Sequence, residues 1–416
     1  MSVLSFLRAQ AGFLAFGSVC MIFGSLGQTY LIALYVDELC ARFDLTLTDF
    51  GTLYSSVTLL SAVCLIWLGR LIDYYRLPVF SAGVFIGLAC ACALMGFATQ
   101  LAMCALALFL LRLFGQGLAI HTGVTSISRA YHHHRGTAVA VSQLGYPLGE
   151  SLFPACVIFL LMVMDWQNSW LVFAAVVSCV ALPAIIFLAR FEPNAPSQTL
   201  SQTPSQTPIA PTPTVIDETT GPAADRGVVL RDPRFYGVLP LYLSPPFILT
   251  GMFLSQLALA NEKSWSTTDL ALAFTVYAGV KIIVSLITGR LVDRYTARRI
   301  MPFSAIPLIA AFLVIVAPVS ELGSVYLYMG LIGVNLGMTS PISGGLWPEL
   351  YGTKYLGAIR SMTSPMAIFA TALAPISFGY ILDAGISFQQ IAAAAIVYLV
   401  AAACLAGFAL HNGRTV

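Results

Sequence analysis

Long apolar runs separated by short, polar and mostly basic breaks dominate the chain. A bilayer is crossed by about 20 apolar helical residues, and the runs have that length. The pattern predicts twelve spanning helices, α1 to α12, at 12–36, 48–70, 77–98, 101–128, 137–163, 168–190, 236–260, 267–290, 300–319, 323–348, 355–382 and 386–410. The first run follows Arg8 and continues to Val36 without a small-residue cleavage site, so it reads as α1 and not as a signal peptide.

One polar break occurs twice. Gly69-Arg70-Leu71-Ile72-Asp73-Tyr74-Tyr75 closes α2, and Gly289-Arg290-Leu291-Val292-Asp293-Arg294-Tyr295 closes α8, 220 residues later. Gly136 and Pro154 match Gly357 and Pro375 at an offset of 221. The shared offset points to a duplication and to two six-helix halves, 1–190 and 236–416. Between them, 191–235 holds the tandem Ser201–Pro204 and Ser205–Pro208 repeats with Pro211 and Pro213. Such a stretch buries too little apolar surface to offset its ordering entropy, so it reads as a disordered cytoplasmic linker, whose role is tethering or regulation.

Composition narrows the class. The 416 residues are 58% hydrophobic and only 9% charged, whereas a soluble domain carries about 25% charge. The expectation is an all-α membrane protein with twelve transmembrane helices in two pseudo-symmetric bundles. Fifteen Lys and Arg fall on the side of the amino terminus and the linker, against Arg42 and Lys263 on the other. The positive-inside rule then puts both termini in the cytoplasm, as a multi-pass protein of the plasma membrane, the inner membrane in a bacterium. A net charge of +2 without a basic, aromatic patch argues against nucleic acid. The nine cysteines sit almost all in apolar helices without paired spacing, which supports neither a disulfide framework nor a zinc site. No cofactor is implied.

Two halves, a long linker and a duplicated G-x-L-x-D turn resemble the major facilitator superfamily along the whole chain. Gly69, Leu71 and Asp73 match its signature, with Arg76 at the second glycine; Gly289, Leu291, Asp293, Arg294 and Arg298 match in the second copy, with Thr296 there. An anion at a helix carboxyl end opposes the macrodipole by about 0.3–1 kcal/mol and wants a cation or a helix amino end. For Asp73 the resemblance implies the start of α11, near Gly352 to Gly357, with Arg129 assisting. For Asp293 it implies the start of α5, near Gly136. Gly69, Arg70, Asp73, Arg129, Gly289, Arg290, Asp293 and Arg360 thus form an expected cytoplasmic gate, the alternative being a topological anchor alone. Tyr131, Arg135-Gly136-Thr137-Ala138 and Gly145-x-x-x-Gly149 resemble the monocarboxylate and oxalate/formate porter branch, which implies small organic anions as cargo. His132, His133 and His134 are adjacent and cannot all face one metal, so they read as an interfacial loop.

Ionisable groups at membrane depth are the sharpest functional signal, since a central charge costs about 2.5–3.5 kcal/mol. Arg112 in α4 and Glu150 in α5 lie near mid-bilayer and are expected to pair, either as a proton-coupling switch or as a static tie. Lys281 of α8, placed in the cytoplasmic half, would bind an anion or snorkel. His121 lies nine residues after Arg112, on another face. Polar groups at depth in α1 and α4 are Gln28, Tyr30, Tyr35 and Gln116; those in α7 and α10 are Tyr242, Gln256 and Asn335; and Tyr146 adjoins Glu150 in α5. The resemblance implies that α1, α4, α7 and α10 face a cavity.

The function expected is secondary active transport of a small organic solute, an organic anion first, by a proton-coupled, monomeric carrier with alternating access. A drug, siderophore or metabolite efflux antiporter is the alternative within that class, and a receptor without flux the alternative outside it. An intramembrane enzyme would need a motif such as H-E-x-x-H or G-x-S-x-G, and neither occurs.

Overall fold

The computed structural model describes residues 3–131, 135–193, 226–317, 322–352 and 356–411. The expected linker core, His132 to His134 and the side chain of Arg360 lie outside the described residues. Among those described, eleven helices are long and apolar enough to cross a membrane, and a bent pair makes the twelfth.

In the first half, α1 is the bent pair Ala11–Gly27 and Thr29–Phe43, followed by α2 (Leu47–Asp73), α3 (Leu77–Gly96), α4 (Leu101–Ala130), α5 (Thr137–Val163) and α6 (Trp166–Phe191). The second half comprises α7 (Pro233–Leu254), α8 (Thr267–Tyr295), α9 (Ala297–Val316), α10 (Gly323–Tyr351), α11 (Pro365–Asp383) and α12 (Phe388–His411). Arg226–Arg231 and the first turn of α7, assigned to the linker by composition, are helical. Val229 and Phe235 bury in the second-half core there, and Asp232 caps the α7 amino end.

Each knot takes its own form. Gly69–Asp73 winds into a tight 3-10 turn, whereas α8 continues as α-helix through Gly289 and Asp293 to Tyr295. Asp73 pairs with Arg129 of its own half. At the corresponding place, 220 residues after Arg129, stands Glu349, whose carboxylate accepts from the backbone N–H groups of Ala297 and Arg298 at 2.7 and 3.0 Å. It caps the start of α9, where the helix dipole favours an anion. No ion pair is recorded for Asp293 among the described residues.

The halves meet along two seams, α2 against α11 and α5 against α8. At the end opposite the knots they are locked closely. The Thr48 N–H donates to Asp383 Oδ2 at 2.7 Å. A Cβ on Gly51 would stand 2.4 Å from the Pro375 carbonyl oxygen, and one on Gly379 2.5 Å from that of Leu47. Only glycine permits such an approach.

Candidate functional site: a charged seam and a broken helix

The break in α1 organises the centre of the first half. Gln28 is extended, with φ −85° and ψ 151°, which interrupts the helical hydrogen-bond ladder beside it. Arg112 Nη1 donates to the Gly27 carbonyl at 3.1 Å and to Thr29 Oγ1 at 3.4 Å. Its guanidinium lies 5.1 Å from the Tyr54 ring centroid, at cation–π distance. Gln256 Nε2, from the other half, donates to the Tyr30 carbonyl at 2.9 Å. A wide π-helical stretch, Leu111–Ala119, carries Arg112 and presents Gly115 to Gly27.

Arg112 therefore does not pair with Glu150. The expected pair fails because Arg112 turns toward the broken α1, a constraint that span depth does not encode. The Glu150 carboxylate instead crosses the seam: Oε2 accepts from Lys281 Nζ at 2.7 Å and Oε1 from the Tyr277 hydroxyl at 2.8 Å. Lys281 also donates to the Tyr277 oxygen at 3.2 Å and lies 4.6 Å from the Tyr146 ring centroid. Lys281 stands fourteen residues from either end of α8, which runs on to Tyr295. Glu150 is likewise thirteen residues from either end of α5. Tyr277 carries no charge to mark it in the sequence, but it stands four residues before Lys281 and so on the same helix face.

A cavity of about 320 Å³ opens beside this cluster, in the half of the molecule nearer the knots. Lys281, Tyr146, Gln143 and Ser340 give it polar groups, and Met21, Ile120 and Leu336 apolar walls. Elsewhere the halves touch where Tyr30 packs at a tilt against Phe274, with ring centroids 5.6 Å apart, and where Ser151 bonds Thr275. The other seam holds a second cavity, of about 180 Å³, where Gln116 and Arg112 face Thr371 of α11.

Three of the expected cavity residues pack within one half. The Tyr35 hydroxyl bonds Ser169 at 2.8 Å, Asn335 Nδ2 donates to the Ser304 carbonyl at 2.8 Å, and Tyr242 packs on Trp347. Each finds a partner on a neighbouring helix of its own bundle, which span position does not reveal. Gln28 is buried at the break of α1. Gly145 and Gly149 seat α5 on α1; a Cβ on Gly145 would lie 2.2 Å from the Ser18 carbonyl oxygen. At the knots, Arg70, Arg290 and Asp293 are exposed, and His121 Nε2 sits 3.1 Å from the Gly69 carbonyl oxygen.

Comparison with known proteins decides the family. The Major Facilitator Superfamily model matches residues 13–259 and 247–415. The chain belongs to the Major Facilitator Superfamily. It is thus a membrane transporter and not an enzyme. Among solved structures, a bacterial homologue of the human lysosomal transporter Spinster, inward-facing and occupied, superposes with a TM-score of 0.69 at 14% identity, covering 99% of this chain and 98% of that one. The same homologue, inward-facing and unoccupied, gives 0.56 at 14% identity, over 97% of each chain. At that identity the likeness is one of superfamily fold. No curated protein sequence matches the chain.

Proposed function

We propose that this superfamily member is a secondary active transporter that moves a small organic solute, an organic anion first, by alternating access coupled to protons. The knot-bearing end is then cytoplasmic, with both termini, in a bacterial inner membrane, and the chain works as a monomer. The segment between the bundles tethers them.

The observation that carries this reading is the Glu150–Lys281–Tyr277 cluster, which joins the two halves at mid-span. The halves must slide or part at this seam for access to alternate. A protonated Glu150 loses most of its attraction for Lys281, so proton binding loosens the seam. Lys281, on the wall of the 320 Å³ cavity, becomes free to hold an anion. Cargo and proton thus each take one partner of the same ion pair, and the binding of one favours the binding of the other.

In proteoliposomes, an imposed pH gradient should drive uptake of a carboxylate. Glu150→Gln should keep the fold while making transport independent of the gradient; full gradient-driven transport by that variant would sink the mechanism. The mostly apolar cavity wall favours, as a second reading, export of a drug, siderophore or metabolite by antiport. Proton release on addition of cargo to inside-out vesicles separates it from symport.

A further inference from the structure

The two seams are related by the duplication, and so are their cavities. Ser61 and Ala62 of α2 stand 220 positions before Lys281 and Ile282 of α8, and Gln116 of α4 stands 220 before Leu336 of α10. On the facing helix, Ile368 and Thr371 of α11 stand 221 after Pro147 and Glu150 of α5. Ser61, Ala62, Gln116, Ile368 and Thr371 all line the 180 Å³ cavity. Lys281, Ile282, Leu336 and Pro147 all line the 320 Å³ one. The cavities are therefore the same place in two copies of one architecture.

Their charges have diverged. One seam holds a carboxylate and an ammonium in contact. In the other, the lysine position is Ser61 and the carboxylate position is Thr371, while Arg112 has entered where the second half has Ile332. The result is a cation without an anion. Arg112 is 2% exposed, and among the described residues it makes no ion pair. Its recorded hydrogen bonds all leave from Nη1, and Nε is buried without a partner. The Nε–Nη2 edge is the fork that grips a carboxylate bidentately. Thr58 Oγ1, also buried on this cavity wall, lacks a partner as well.

We propose that this second cavity is a carboxylate subsite, in which the ligand's own carboxylate replaces the one that Glu150 supplies in the duplicate seam. Arg112 binds it through the Nε–Nη2 edge, with hydroxyl donors from Thr58 of the first half and from Thr371 of the second, whose proton turns to the ligand from the Ala367 carbonyl that it meets at 2.9 Å. Water occupies about 30 Å³ per molecule, so 180 Å³ takes a ligand of about six non-hydrogen atoms. Pyruvate is that size. A ligand held by α2, α4 and α11 together favours the arrangement in which this seam is closed. The subsite deepens the anion-transport reading and rests on it for its role, but binding is measurable without flux.

The test is binding to the purified full chain in detergent, by calorimetry and by thermal stabilisation. The probes are acetate, pyruvate and succinate, each against its amide. Pyruvate should bind and its amide should not. Arg112→Lys, which loses the fork, should weaken pyruvate by about ten- to a hundredfold, as expected for charge-assisted hydrogen bonds worth ~1.5–3 kcal/mol. Arg112 also supports the α1 break, so Thr58→Val and Thr371→Val, which do not touch that break, are measured alongside and should weaken pyruvate severalfold. No carboxylate binding, equal binding of acid and amide, or wild-type affinity in all three variants overturns the proposal. Arg112-dependent binding without proton-driven uptake keeps the subsite and removes the transport reading. Uptake without such binding does the reverse.

Discussion

Glu150 Oε2 lies 2.7 Å from Lys281 Nζ, and the two residues come from different halves of a duplicated chain. Their side chains are 4% and 19% exposed, so the pair is largely withdrawn from water. Buried ion pairs contribute little net stability, because desolvation offsets attraction, yet breaking one leaves an expensive lone charge. On the proposed mechanism, such a pair suits a seam that opens under control. It would then hold while both charges are present and let go when either is neutralised or diverted.

Lys281→Met should destabilise the protein by about 3–5 kcal/mol, the usual cost of leaving a buried partner charged. The double variant Glu150→Gln/Lys281→Met should recover most of that loss. Unfolding in detergent, run as a double-mutant cycle, measures the coupling; additive losses would show that the two side chains do not depend on each other.

Ser151 Oγ donates to Thr275 Oγ1 at 3.1 Å across the same seam. Ser151→Cys/Thr275→Cys in a background lacking the nine native cysteines should form a disulfide, since the two oxygens whose places the sulfurs take are already in contact. Oxidation should stop transport and a reductant restore it. Unimpaired flux in the cross-linked protein would show that α5 and α8 need not move apart.

Gly27 sits against α4 so closely that a Cβ would lie 2.1 Å from the Leu111 carbonyl oxygen, whereas a Cβ on Gly83 meets nothing within 4 Å. Gly27→Ala should therefore lose at least about 1–3 kcal/mol through overpacking and lower the yield of folded protein. Gly83→Ala should stay within about 0.5 kcal/mol of wild type or gain slightly. Size-exclusion yield and melting temperature decide between them.

Asp73 and Arg129 pair with side chains 49% and 52% exposed, where an ion pair contributes about 0–1 kcal/mol. Asp73→Asn should leave the unfolding free energy within about 1 kcal/mol of wild type. If the knot acts as a gate, the same variant should slow transport well beyond that. A matched loss of stability and rate would assign it to anchoring alone.

The twelve spans, the duplication and the superfamily were legible because each is written in local terms. A bilayer demands apolar runs of one length, and the knot repeats at a fixed offset. Glu150, Arg112 and Lys281 were legible as exceptional for the same reason, since charge at membrane depth is costly wherever it occurs. Their partners were not. Which face of α4 Arg112 presents depends on a π-helical stretch and on a break in α1, which meet in close contact at Gly27 and Gly115. The tertiary structure alone decided that Glu150 crosses to Lys281, while Arg112 stays with a backbone carbonyl of its own half. Depth is a one-dimensional property that a chain carries in its hydropathy. Pairing needs rotation, bend and the approach of distant helices, and these exist only once the bundles are packed.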